Sequence, residues 1–149
     1  MASASSAAAP ARFRDRLDPL AAASVAFLAA NVLHTADHLR QGTGRLTSEV
    51  LVGGTVLSLL AVALLPLAFR RHPRAPLMAA AVGLWAAAGV AASHLAPHWS
   101  AFSDPYPKIG VDALSWVVML AEIGAALVLA FVGIVELRRQ GAGRTASVA

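Results

Sequence analysis

The sequence contains no cysteine, which removes disulfides, thiolate metal ligands and cysteine nucleophiles from consideration. It has a single lysine, Lys108, against eleven arginines, and a single tyrosine, Tyr106. Charged residues make up 13% of the chain and aromatic residues 6%. Familiar catalytic motifs are missing as well. His34-Thr-Ala-Asp37-His38 lacks the glutamate of a zinc-protease HExxH helix, and no Ser-His-Asp arrangement or phosphate loop can be argued. Gly53-Gly54 lies inside an apolar run with no flanking strand, so it is not a nucleotide loop.

What is abundant is apolar. Of 149 residues, 58% are hydrophobic, and the mean hydropathy is +0.66. A chain of this length is one domain, and a soluble one could not cover so much apolar surface, so lipid must serve as solvent for part of it. The isoelectric point near 11.1 invites a nucleic-acid reading, but the arginines are split among short segments between long apolar runs. No basic face or binding motif results, so no nucleic-acid partner is expected. Eleven arginines to one lysine, with abundant alanine, is the composition of a GC-rich bacterial genome.

Four apolar stretches span about 19–37, 49–69, 76–96 and 109–137. Each is near or above the roughly 20 residues a helix needs to cross the hydrocarbon core. None alternates with the period of two that a barrel strand requires. The expected fold is therefore an all-α integral membrane protein with four transmembrane helices. Short connections predict an up-down-up-down bundle. Residues 1–18 are small, polar and basic and read as a disordered tail, with 138–149 as a second tail. The run RFRDR before LAAASVAFLAANVL has the look of a secretory signal. Because the apolar run continues into Asn31 and a His/Asp cluster, a retained first helix is expected.

Orientation follows from the basic residues at the span ends. Arg12, Arg14, Arg16, Arg70, Arg71, Arg74, Arg138, Arg139 and Arg144 fall on one side; Arg40, Arg45 and Lys108 fall on the other. Nine against three predicts a plasma-membrane protein with both termini cytoplasmic and the loops at 38–48 and 97–108 outside. The third span is rich in Ala and Gly, which lets helix backbones approach closely inside the bundle, in a homo-oligomer or in a larger membrane complex. Trp99, Phe102 and Tyr106 fit an interfacial aromatic belt.

The chemistry-bearing residues gather where that topology predicts one surface. His34 and His38, four residues apart, lie about 40° apart around a helix and share a face, with Asn31 one turn deeper. His94 and His98 flank Pro97 near the end of the third span, and Pro97 is expected to end that helix at about Ala96. Spans one and three run in the same direction, so four of the five histidines share a leaflet with Asp37, Glu49, Asp104 and Asp112; His72 stays apart. Imidazole and carboxylate without thiolate suit Zn, Cu or Fe, or Ni, rather than Mg or Ca. His34, His38, His94 and His98, with Asp37 and Asp112 as ligands or orienting groups, form the candidate metal set. The alternative is that these are ordinary polar residues where helices leave the membrane.

Glu122 lies ten residues beyond Asp112, about 15 Å deeper at the helical rise, where an ionisable side chain is rare. Asn31 and Ser58 fall at comparable depth as partners. The stripe Asp112, Ser115, Met119, Glu122 is compatible with a proton path or with a protonated Glu122 that ties helices together. Three functions follow: a metal-binding membrane protein in redox chemistry or metal handling, a non-catalytic accessory or scaffold subunit, or a small oligomeric proton-coupled transporter using Glu122. An open coordination position would support enzymatic chemistry, but nothing identifies a substrate. The basic-residue asymmetry predicts that a reporter fused after Gly141 reads as cytoplasmic, and reporters inserted near Gly42 or Ser103 read as external. A periplasmic signal from the C-terminal fusion contradicts the four-span orientation.

Overall fold

The computed structural model describes residues 18–42, 44 and 46–146. The N-terminal stretch read as a disordered tail lies outside these except for Asp18, and residues 147–149 of the C-terminal tail lie outside them too. The described residues are all-helical: α1 (Pro19–Gln41), α2 (Ser48–Phe69), α3 (Ala75–His94), the single turn α4 (Tyr106–Ile109) and α5 (Ala113–Ala146). Four of these, all but α4, are long and apolar enough to cross a membrane, which makes the chain a multi-pass membrane protein.

Helix starts follow local chemistry. The Asp18 carboxylate accepts the Leu20 N–H at 2.9 Å ahead of Pro19, whose ring suits the first helical position. Thr47 Oγ1 accepts the Val50 N–H to open α2, and Asp112 Oδ1 accepts the Ser115 N–H at 3.0 Å beside the start of α5. Four boundaries differ from expectation: α1 continues past residue 37 to Gln41, the third span ends short of Ala96, and the last helix both starts later than 109 and ends later than 137. The third span closes at His94 rather than Ala96, because the chain turns before Pro97 and folds back along the end of the bundle. Asp112 precedes the last helix, which starts at Ala113 and runs 34 residues to Ala146.

The bundle is centred on α5, which packs against both α3 and α1. Helix α2 rests on α1 and α3 and is peripheral: 11% of its apolar window is buried, against 44% for α1 and α3. Leu33, Leu59, Val62, Val117 and Phe131 are each more than half exposed. So wide an apolar surface suits contact with acyl chains.

Contact between α3 and α5 is backbone against backbone. A Cβ on Gly83 would stand 2.6 Å from both the Ala126 oxygen and the Ala130 nitrogen; one on Gly133 would stand 2.6 Å from the Ala80 nitrogen. Lipid supplies no hydrophobic drive between helices, so dispersion at this short range has to hold the pair. The prediction is that Gly83→Leu or Gly133→Leu destabilises the protein by roughly 1–3 kcal/mol through overpacking. Gly124→Leu, where a Cβ meets open space, should leave thermal unfolding in detergent unchanged.

Candidate metal centre

Three histidines converge at the C-terminal ends of α1 and α3. His34 and His38 lie one turn apart on α1, and His94 is the last residue of α3. Ring centroids are 4.6 Å apart for His34–His38, 5.0 Å for His34–His94 and 5.3 Å for His38–His94. One ligand nitrogen from each ring can be chosen so that all three lie within 4.8 Å of one another. Since Zn–N bonds are about 2.0–2.1 Å, the rings close on one ion by inward shifts on the order of 1 Å.

The hydrogen bonds around these rings point the same way. His34 Nδ1 is paired with Glu122 Oε2, an arrangement satisfied when Nδ1 carries the proton and the carboxylate accepts it. His34 Nε2 then keeps its lone pair, toward which the Tyr106 hydroxyl donates at 3.2 Å. His94 Nδ1 donates to the Asp104 backbone oxygen at 3.0 Å, leaving its own Nε2 lone pair. An oxygen acceptor on the far nitrogen of a ligating imidazole fixes the tautomer and raises its basicity. Two of the three rings have that partner.

Each partner is placed by its element. Glu122 is 1% exposed, on the face of α5 that also buries Ser115 and Met119. Its Oε1 accepts Asn31 Nδ2 at 2.8 Å, and Asn31 Oδ1 accepts the Ser58 hydroxyl at 2.7 Å, so one carboxylate draws α5, α1 and α2 together. Asp104 and Tyr106 come from the segment between α3 and α5. Asp104 N–H donates to the Ser93 oxygen at 2.9 Å, and Ser103 Oγ accepts the Trp99 and Ser100 N–H groups, pinning that segment over the ends of α3.

Tyr106 departs from the aromatic belt expected of it. It is 1% exposed, its ring 4.4 Å from His94 and 5.6 Å from Trp116, whereas Trp99 and Phe102 are exposed. Burial first, then the charges of Asp37 and Asp104, raise the phenol above its ordinary range, so it stays a hydrogen-bond donor at neutral pH.

The other sequence candidates lie elsewhere. Both Asp37 oxygens are engaged, one by Arg40 Nε at 2.9 Å and the other by Gln41 Nε2 at 2.6 Å. Arg40 also bridges to Asp112 at 2.9 Å and to Ser115 Oγ at 3.2 Å, clamping α1 to α5. The Arg40 guanidinium, followed by the Ser115 N–H, holds the exposed Asp112 carboxyl below the usual carboxylate range. His98 is exposed past the end of α3, and exposed His72 accepts the Arg74 N–H.

Sequence reasoning missed two participants, Tyr106 and the Asp104 carbonyl, and the contact between Glu122 and His34. A faint signal existed for the first: the single tyrosine stands between Pro105 and Pro107, a rigid setting for one ring.

A cavity of about 850 Å³ opens beside the cluster, walled by α2 and α3 and reaching His34, His38, His94 and Glu122. No family model, curated protein or solved structure matches the chain, so the reading of the site comes from its own side chains.

Glu122→Leu should cost roughly 0.6–2 kcal/mol for each intramembrane hydrogen bond lost, because Asn31 Nδ2 and His34 Nδ1 are left without their acceptor. Glu122→Gln should leave the fold intact, since the amide oxygen still accepts from Asn31. Thermal unfolding of both variants in lipid nanodiscs checks this; an unchanged Leu variant would show that the contact contributes nothing to stability.

Proposed function

We propose that this chain is a small bacterial plasma-membrane protein, termini cytoplasmic, that holds one transition-metal ion (Zn, Cu or Fe) near the extracytoplasmic surface. His34, His38 and His94 are the ligands. The observation that carries this reading is the convergence of three imidazoles, two of them with Nδ1 already engaged by an oxygen. An isolated polar residue at a helix end needs no such pair of acceptors.

Three neutral nitrogen donors would leave the charge of a divalent ion uncompensated, and the Glu122 carboxyl group paired with His34 is the acid that would offset it once metal binds. A purely structural site closes its coordination shell, whereas a reactive one keeps a position open. The cavity reaches all three imidazoles, so an ion held by them would be open to a ligand from that side, which favours redox or Lewis-acid chemistry over storage. Asp37 and Asp112 act on this reading as the clamp between α1 and α5, not as ligands.

A second reading has one observation behind it: Glu122, His34 and Tyr106 form a continuous hydrogen-bonded chain suited to relaying protons. The accessory-subunit reading has no comparable support at this site.

Metal analysis after mild purification, with reconstitution by Zn, Cu and Fe, separates these readings. Stoichiometric metal is expected in the wild type, with severe loss in His34→Ala, His38→Ala and His94→Ala and full retention in His98→Ala. Glu122→Gln turns an amide N–H toward His34 Nδ1 and forces the opposite tautomer, so affinity should drop about 10–100-fold. If metal binding is unchanged in Glu122→Gln while proton transfer is lost, the relay reading replaces this one. Acidification should strip the metal as the imidazoles take up protons. A wild-type protein that takes up none of the three metals ends the metal reading.

A further inference from the structure

The cavity beside the histidines has the wrong surface for a water-soluble ligand. Its walls are mostly apolar residues of α2 and α3, and its polar lining includes Asn31, Ser58 and Glu122 together with the three imidazoles. Several wall residues are also exposed apolar side chains: Leu51 at 45%, Leu59 at 63%, Val62 at 53% and Trp85 at 49%. A side chain that lines the cavity and also faces the surroundings of a membrane span marks a lateral opening. Such an opening admits a molecule from the hydrocarbon phase.

The geometry points to a binding site for a long-chain membrane amphiphile with a neutral oxygen head (hydroxyl or carbonyl), its tail between α2 and α3 and its head at the histidine cluster. Size is consistent, since ligand pockets typically run roughly 300–1,000 Å³ and this one holds about 850 Å³. Charge selects the head. Among the described residues no lysine or arginine lines the cavity, and the one carboxyl group that does is Glu122. A phosphate head would find no cation among the described lining residues and would meet Glu122 in a low-dielectric setting. A hydroxyl or carbonyl head needs only hydrogen bonds, which Asn31 and Ser58 can exchange with it. Contact between the head and a metal depends on the function proposed above; binding of the tail does not.

Two glycines allow a direct test. Gly54 on α2 and Gly89 on α3 both line the cavity, and a Cβ on either meets no atom within 4 Å. A phenylalanine there fills the cavity without forcing the helices apart. Gly124 on α5 is equally open but lies outside it, so Gly124→Phe is the control.

The full-length protein in lipid nanodiscs is photolysed with hexadecanol carrying a mid-chain diazirine, and the adducts are mapped by peptide mass spectrometry. Labelling should concentrate around Gly54 and Gly89 and be suppressed by excess unlabelled hexadecanol but not by hexadecyl phosphate. Gly54→Phe and Gly89→Phe should each cut it about tenfold, a binding loss of roughly 1.4 kcal/mol, while Gly124→Phe leaves it at the wild-type level. Adducts spread over Val117, Leu120 and Leu127 in proportion to exposure, and indifferent to Gly89→Phe, overturn the site. Equal competition by hexadecyl phosphate overturns the neutral head, and crosslinks from the cavity to a second copy of the chain overturn the lipid occupant. Metal content is measured on the same samples. Saturable labelling without metal supports the cavity and ends the metal reading; metal without saturable labelling leaves the metal site and overturns the cavity.

Discussion

Hydrocarbon offers no hydrogen-bond partner, so a carboxyl group carried into the bundle must find every partner it needs within the protein. Glu122 finds them on α1, through Asn31 and His34, and by way of Asn31 on α2 through Ser58. Because leaving any of these groups alone would be costly, the network sets the rotation of α1 about its own axis. That rotation turns His38, one turn beyond His34, toward the end of α3 where His94 waits. The imidazole cluster is thus downstream of one buried acid, and any chemistry at the cluster inherits the precision of that contact.

A second constraint supports the first from behind. Gly83 and Gly133 let α3 and α5 meet with no side chain between them, which fixes where His94 stands relative to Glu122. The α3–α5 pair forms a stiff plate, and α1 is fastened to α5 at two levels: inside by Glu122, and near the surface by Arg40 bridging Asp37, Asp112 and Ser115 and by Gln41 donating to Ser115. Among the described residues α2 is held more lightly, by the Ser58–Asn31 hydrogen bond, by its N-cap Thr47 hydroxyl donating to the Ala101 oxygen, and by shallow apolar packing.

How much of this could be read beforehand depended on the range of the interaction. Helix existence was legible because span length and apolarity are local properties. The stripe of Asn31, His34 and His38 was legible because helical geometry places residues three and four apart on one face. Asp37 is three residues from His34 and also three before Arg40, and nothing local says which neighbour takes it; the position of α5 decides in favour of Arg40. His98 was drawn into the candidate set by its nearness to His94, yet α3 ends at His94 and leaves His98 exposed. Tyr106 was out of reach for the opposite reason. Its place under His94 depends on how an irregular segment folds over the helix ends, and periodicity does not describe such segments.

The uneven lengths of the helices give the bilayer itself a say in the shape of the cavity. At 1.5 Å per residue α2, with 22 residues, is about 33 Å long, and α5, with 34, is about 51 Å. A hydrocarbon core of roughly 30 Å is matched by α2 almost end to end, while α5 overhangs it. When the surrounding membrane thins, a matched helix must tilt or bend, and the one held least firmly yields first. That helix is α2, which forms one wall of the opening beside the histidines. A thinner membrane is thus expected to shift this wall of the cavity before it shifts the three imidazoles, which α1 and α3 carry on their firmer contacts with α5.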